Sequence, residues 1–145
     1  MKTIALLSQK GGAGKTTLSL NLAVALQQTG LTVGVIDIDP QQTSATWGDI
    51  RGEAPDVHGA QYKQLPKIMQ AARDAGADVL IIDTPPGKDT VHLEVARISD
   101  LILVPCRPSV PDVKAIMDTL KIVEMAGKTG FTVWNAALPT SPSLV

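Results

Sequence analysis

The residues between Lys10 and Thr17 combine glycines, lysines and threonines in a pattern that can hold an anion. Glycines let the backbone curl so that successive N–H groups face one point without Cβ clashes. A helix that begins after such a loop adds roughly half a positive charge there. Lys15 can then reach the β- and γ-phosphates of a nucleotide, Thr16 can ligate Mg²⁺, and Thr17 can contact the α-phosphate. The residues predicted to surround the phosphates are Gly11, Gly12, Ala13, Gly14, Lys15, Thr16 and Thr17.

Three aspartates follow apolar segments that are typical of buried strands. Asp37 and Asp39 are two residues apart, which places both on one face of a strand end. Asp83 follows the apolar run 79–82, the arrangement in which a buried strand delivers a carboxylate to a metal site. Taken alone, Asp39-Pro40 is also typical of a turn that ends a strand, and Asp83 of a strand cap.

Short apolar runs alternate with longer helical patterns along the chain. Strands are predicted at residues 3–8, 32–37, 56–60, 78–83, 101–104 and 131–135. Helices are predicted at residues 15–29, around Trp47, and at residues 64–75, 90–98 and 111–126. Gly30 is expected to end the first helix. This alternation favours an α/β fold, with a doubly wound, mainly parallel sheet and helices on both faces. The ligand is then expected at the carboxyl ends of the strands.

Composition limits the class of protein. The chain has 145 residues, a formal net charge of −1 and 44% hydrophobic residues, which suits a single globular domain over residues 1–145. The one cysteine, Cys106, fits a reducing compartment, and no signal peptide is visible, so a cytoplasmic location is expected. No apolar run of about 18 residues is present, so no membrane span is expected. Any DNA binding needs a local patch or a dimer surface.

The phosphate loop departs from the standard pattern, which places a glycine five positions before Gly14. Gln9 stands there, and the segment instead has the form Lys-Gly-Gly-x-Gly-Lys-Thr with an additional lysine, Lys10. This form resembles the ParA/MinD family of deviant Walker A P-loop ATPases, and the match extends from Met1 to about Asn135. The loop begins close to Met1, and in this respect the chain is most similar to the small plasmid-type ParA partition ATPases.

The resemblance implies a role for each candidate residue. Lys10 would reach across a dimer to the partner's ATP. Asp37, in a first switch at residues 37–41, would support Mg²⁺, and Asp39 would orient the attacking water. Asp83 would act on Mg²⁺ through water, with residues 84–87 forming a second switch. Asn135 matches a position that contacts adenine, although asparagine after a strand is also an ordinary turn residue.

The implied activity is hydrolysis of ATP, bound with Mg²⁺, to ADP and phosphate. Two subunits would dimerise with ATP, bind DNA nonspecifically and respond to a partition partner of the ParB type, with a plasmid or chromosome as cargo. One alternative is a MinD-like or other cargo-positioning ATPase, and another is a truncated nucleotide-binding protein without turnover. The nitrogenase iron protein is excluded because it needs two cluster cysteines per subunit.

The C-terminal end departs from the family pattern. Family members are expected to continue for several tens of residues that close the nucleotide pocket and carry basic DNA-binding residues. Residues 138–145 are rich in proline and serine and predict no regular structure. The resemblance therefore predicts a domain that lacks the usual C-terminal segment, with self-association or marginal stability at that end.

Overall fold

The computed structural model describes residues 1–87 and 89–137. Its strands are β1 (Lys2–Leu6), β2 (Val33–Asp37), β3 (Asp56–Gly59), β4 (Val79–Asp83), β5 (Leu101–Cys106) and β6 (Gly130–Trp134). Its α-helices are α1 (Lys15–Gln28), α2 (Thr43–Arg51), α3 (Leu65–Asp74), α4 (Asp89–Ile98) and α5 (Val110–Met125). A 3-10 turn at Tyr62–Gln64 precedes α3. The predicted tail at 138–145 lies outside the described residues.

The strands form one sheet in the order β3-β2-β4-β1-β5-β6, and the neighbouring strands pair in parallel. The prediction of a doubly wound parallel sheet is therefore confirmed. Strand β1 lies between β4 and β5, so the strand order reverses around it. In open sheets of this kind, ligands bind outside the carboxyl ends of the strands at the reversal. The loop that follows β1 lies at that edge.

Successive side chains of each strand point to opposite faces of the sheet. Because both faces carry apolar side chains, helices pack on both of them. One layer holds α3, α4 and α5 over side chains such as Leu7, Ile36 and Ile82. The other holds α1 and α2 over side chains such as Leu6 and Val35. Both layers bury apolar side chains almost completely, which fixes the register of the strands. Within the described part of the chain, no helix has the length and apolar character that crossing a membrane requires.

The end of β5 differs from the predicted one. Strand β5 runs to Cys106 rather than ending at Val104, because β6 continues to pair with it after its pairing with β1 has ended at Leu103. Pro105 is tolerated there because the strand pairs on one side only. The predicted stop of α1 is confirmed by Gly30, which has a φ of 91°.

Candidate functional site

The loop between β1 and α1 has the backbone that its glycines predict. Gly12 and Gly14 have φ angles of 73° and 100°, values that L side chains rarely adopt. Gly14 is also the residue from which α1 begins, so the first N–H groups of the helix point into the loop. The free N–H groups and the dipole of α1 make this end of the helix attract negative charge, and it lies at the carboxyl edge of the sheet.

Lys15 is buried, with 7% of its surface exposed. Its Nζ donates to the carbonyl oxygen of Ser8 at 3.2 Å and is 3.5 Å from that of Lys10. Burial lowers the pKa of this ammonium, and the charges of Asp83 and Asp39 oppose that shift. The cation is thus held at the loop by weak neutral acceptors, so an anion entering the loop would gain a charge-assisted partner.

Thr16 joins the loop to the carboxylate on β4. Its hydroxyl donates to Oδ2 of Asp83 at 2.7 Å. The Ser44 hydroxyl donates to the same oxygen at 2.5 Å. Burial raises the pKa of Asp83, and the hydrogen bonds from Ser44 and Thr16 oppose that shift.

The other oxygen of Asp83, Oδ1, is buried without a hydrogen-bond partner in the described structure. A buried carboxylate oxygen without a donor is costly unless a cation compensates it. Oxygen ligands beside a phosphate site are the ones that Mg²⁺ takes, so Asp83 and Thr16 fit this ion. In residues 1–87 and 89–137, no group of three or more His, Cys, Asp or Glu side chains could hold a metal ion without other ligands.

Asp37 is fully buried at the end of β2. Its Oδ1 accepts from the Asp39 amide at 2.9 Å, and its Oδ2 accepts from the amides of Ser44 at 2.8 Å and Ala45 at 3.2 Å. Burial raises the pKa of Asp37, and these backbone hydrogen bonds oppose that shift. The carboxylate therefore holds the start of α2, and its support of Mg²⁺ stays a prediction.

Asp39 lies in the wall of a cleft of about 280 Å³ at the loop. It is half-buried, and its Oδ1 accepts from the Gln41 amide at 3.0 Å. The residues that line this cleft are Gly11, Gly12, Gly14, Lys15, Thr16, Thr17, Asp39, Thr84, Pro86 and Arg107. Asp39 is thus placed beside the space in which phosphates would lie, and its action on water stays a prediction.

Lys10 points away from its own loop. Its Nζ lies 2.6 Å from Oδ2 of Asp112, and the exposed fraction is 39% for the lysine side chain and 4% for the aspartate. The Ser109 hydroxyl also contacts Asp112 Oδ2. Lys10 is thus paired within its own chain, and its role in a partner subunit stays a prediction.

Asn135 reaches the loop from the end of β6. Its Nδ2 donates to the Ala13 carbonyl oxygen at 3.0 Å. A Cβ on Gly14 would lie 1.8 Å from the same nitrogen, so only glycine allows this approach. The structure therefore brings Asn135 to the phosphate loop, and its contact with adenine stays a prediction.

Two residues at the site have no role in the sequence-based interpretation. Ser44 lies in the polar stretch after Asp39-Pro40, where nothing in the residue types indicates that its hydroxyl would reach Asp83. Arg107 follows β5, and it lines the cleft. The signal for Arg107 was available, because a cation after a parallel strand lies at the ligand edge.

Comparison with known proteins identifies the family. Residues 4–133 match the model of the CobQ/CobB/MinD/ParA nucleotide binding domain. The chain is 34% identical over 131 residues to the maintenance of carboxysome distribution protein A of Halothiobacillus neapolitanus, covering 88% of this chain and 60% of that protein. It is 26% identical over 154 residues to the chromosome-partitioning ATPase Soj of Thermus thermophilus, covering 86% and 62%.

A solved structure gives the same fold. Cobyrinic acid a,c-diamide synthase from Mycobacterium smegmatis, with bound ATP analog and magnesium, superimposes with a TM-score of 0.76 at 17% identity, covering 97% of this chain and 77% of that one. The chain thus spans less than two thirds of the length of each of the two curated relatives, and most of the length of the synthase chain. The matched family model covers nearly all of the strands and helices described above, and the chain belongs to the CobQ/CobB/MinD/ParA family of nucleotide-binding domains.

Proposed function

We propose that this chain binds ATP with Mg²⁺ at the loop after β1 and hydrolyses it to ADP and phosphate. The observation that carries the proposal is the 2.7 Å hydrogen bond from Thr16 to Asp83. It joins a glycine loop at a helix N-terminus to a buried carboxylate that has one free oxygen. The loop that would hold an anion thus lies next to the carboxylate that would face a cation. A nucleoside triphosphate bound with its metal ion requires two such adjacent sites.

Each residue at the loop has a defined task in this proposal. The amides of the loop and the Lys15 ammonium neutralise the phosphates, and Thr16 and Asp83 hold Mg²⁺, with Asp37 supporting them. The metal ion neutralises charge that develops on the phosphate oxygens. Asp39 orients the attacking water from the wall of the cleft. Little further chemistry is needed from the protein, because phosphoryl transfer depends mainly on positioning and charge stabilisation.

We also propose that ATP joins two such subunits and that the dimer segregates DNA, either a plasmid or a chromosome. Lys10 would serve the partner's nucleotide, and a partner of the ParB type would stimulate turnover. The similarity to a chromosome-partitioning ATPase supports this cargo. The proposed location is the cytoplasm, with nonspecific binding to DNA and none to a membrane, and residues 1–145 would act as one nucleotide-binding domain.

A second candidate keeps the ATPase and changes the cargo. The chain is 34% identical to a carboxysome-distribution protein and 26% identical to the chromosome-partitioning ATPase. The similarity to the carboxysome-distribution protein supports a cargo other than DNA for this candidate. Both candidates require ATP turnover, so they differ in the partner that couples to it rather than in the site.

The test is ATP turnover by the purified chain, with and without DNA. Lys15→Ala removes the cation at the phosphates, where each charge-assisted hydrogen bond contributes about 1.5–3 kcal/mol, so nucleotide binding should be lost. Lys67→Ala, at an exposed lysine on α3, is the matched control and should bind as the parent does. Unchanged ATP affinity in Lys15→Ala by calorimetry would refute the phosphate site. Turnover that DNA stimulates favours partition, and turnover indifferent to DNA favours the second candidate.

A further inference from the structure

We propose that Ser44 is a positioning residue that fixes the Asp83 carboxylate and couples the start of α2 to the metal site. The inference rests on the proposed function, since it concerns how the same site holds Mg²⁺. It adds a residue that the phosphate-loop pattern does not contain. It also connects α2, which provides no predicted ligand, to the ion through Asp83.

The first observation is how α2 begins. Ser44 is the second residue of this helix, and 0% of its surface is exposed. Its amide donates to Asp37 Oδ2 at 2.8 Å, and the Ala45 amide donates to the same oxygen at 3.2 Å. Asp37 therefore satisfies two of the free N–H groups with which a helix begins. The backbone of Ser44 is thus fixed to β2.

The second observation is where the Ser44 side chain goes. Its hydroxyl crosses from α2 to the end of β4 and donates to Asp83 Oδ2 at 2.5 Å. A buried hydroxyl has one hydrogen to donate, so the donor of Ser44 is fully used on this carboxylate. Short O–H···O⁻ hydrogen bonds of this kind are roughly twice as strong as neutral ones.

The third observation concerns the hydrogen-bond partners of the two carboxylate oxygens of Asp83. Oδ2 accepts from both Ser44 and Thr16, whereas Oδ1 is buried without a partner. Two donors on one oxygen fix the orientation of the carboxylate and leave the other oxygen for the cation. Without Ser44, the carboxylate would keep only the Thr16 contact and could rotate. Partners that orient a metal-site carboxylate typically change metal affinity by about 10- to 100-fold when they are removed.

The experiment compares Ser44→Ala with a matched variant, Ser99→Ala. Ser99 is equally buried, and its hydroxyl donates to the Val95 carbonyl oxygen at 2.7 Å in α4, so each variant loses one buried hydrogen bond. A fluorescent ATP analogue is titrated with Mg²⁺ at fixed protein concentration, and also in EDTA. Ser44→Ala should need about tenfold more Mg²⁺ for half-maximal effect, the lower end of the range for such partners. Its affinity for the analogue in EDTA should equal that of the parent, and Ser99→Ala should behave as the parent in both titrations.

A second measurement uses the unmodified chain and does not depend on the stability of a variant. Amide hydrogen exchange is followed in α2 with ATP present, before and after Mg²⁺ is added. Coupling through Ser44 predicts that Mg²⁺ slows exchange at the start of α2. A separate readout uses a Trp134→Phe variant, in which the fluorescence of Trp47, three residues after Ser44 in the same helix, should change when Mg²⁺ is added.

The outcomes separate this inference from the proposed function. A parent whose nucleotide binding depends on Mg²⁺, together with an unchanged Mg²⁺ requirement in Ser44→Ala, overturns the inference alone. Exchange in α2 that is indifferent to Mg²⁺ also overturns it alone. A parent that binds the analogue without any effect of Mg²⁺, or does not bind it, contradicts the proposed function and the inference together.

Discussion

The Lys10 ammonium lies 2.6 Å from Asp112 Oδ2 within one chain. The pair joins the phosphate loop to the first turn of α5, and Lys10 holds the pKa of Asp112 below its usual value. Asp112 is 4% exposed, so its charge depends on partners supplied by the protein. A lysine that serves a second subunit must therefore leave Asp112, to which the Ser109 hydroxyl also binds.

The first prediction concerns Lys10→Ala. Binding of ATP to the monomer should be nearly intact, because in the proposed site Lys15 and the loop amides would make the phosphate contacts within the chain. Dimerisation with ATP should weaken, because the cation proposed to reach the partner's phosphates is gone. Calorimetry measures the first quantity, and sedimentation with a nonhydrolysable ATP analogue measures the second. If Lys10→Ala loses nucleotide as severely as Lys15→Ala, the proposed role across the dimer is wrong.

The second prediction concerns Asp39→Ala. This variant should bind ATP and fail to hydrolyse it, because Asp39 lies in the cleft wall and makes no contact that the loop needs for its shape. Any dimer that forms with ATP should accumulate. Phosphate release and sedimentation measure the two effects. Asp49→Ala, at another aspartate of the chain on α2, is the control. Parent-like turnover in Asp39→Ala would remove it from the water-positioning role.

The third prediction concerns the pH dependence of stability. His92 on α4 is 0% exposed, and its Nε2 lies 2.8 Å from the Pro85 carbonyl oxygen, in the turn that follows β4. Burial lowers the pKa of His92 below 6.5, and the Lys15 charge acts in the same direction, while the Pro85 contact and Asp89 oppose it. The unfolded chain therefore binds the proton first as pH falls, so the free energy of unfolding should decrease below about pH 6.5.

Thermal melts at several pH values test this, with His92→Gln compared against the parent. The variant should lose part of the decrease below that pH, since glutamine does not titrate. His58→Gln, at an exposed histidine of β3, is the matched control and should follow the parent. Subtracting the curve of stability against pH for His92→Gln from that of the parent removes the contributions of the buried carboxylates Asp37 and Asp83, which both proteins share. Parallel curves for His92→Gln and the parent would contradict the prediction.

The fourth prediction concerns the surface at β6 and α5. Strand β6 is at one edge of the sheet, with Phe131 56% and Trp134 48% exposed, and Val113 and Met117 of α5 are 46% and 56% exposed. An edge strand presents unpaired N–H and C=O groups, and burying each large apolar side chain contributes about 1.5–3 kcal/mol. The 145-residue chain should therefore self-associate without ATP, or be only marginally stable.

Light scattering without nucleotide measures this association. Phe131→Lys should reduce it, while Ile50→Lys, at a residue 81% exposed on α2, should leave it unchanged. A nucleotide-free monomer with a cooperative melt would show that the chain closes its own core.

The order of strands and helices could be predicted from the sequence because both signals are local. Buried parallel strands are apolar on both faces. Four of the five α-helices are followed within two residues by a glycine with positive φ, at Gly30, Gly52, Gly76 and Gly127.

The face that α1 buries could be predicted in part. Helical spacing predicts a stripe of Leu18, Leu22, Ala25 and Leu26. The three leucines do pack against the core, but Ala25 is exposed, and Ser19 and Ala23, outside the stripe, are buried.

The phosphate loop could be predicted because one contiguous segment carries its chemistry. Asp83 and Asp37 could be located because strand ends meet at one edge of a parallel sheet. The partners of these carboxylates could not, since they come from residues distant in sequence. Ser44 reaches Asp83 across 39 positions, and Lys10 reaches Asp112 across 102. The type of a residue does not indicate which of the chain's serines or aspartates will come into contact when the chain folds.

The register of the sheet determines which changes of length the site tolerates. Asp37 and Asp83 are directly opposite each other in the pairing of β2 with β4. Because side chains alternate between faces, inserting or deleting one residue within either strand would turn a carboxylate to the other side of the sheet. Residues added at the turn around Gly76, before β4, would leave that pairing unchanged. Tolerated insertions and deletions should therefore fall in the turns that precede these strands, and none should fall inside β2 or β4.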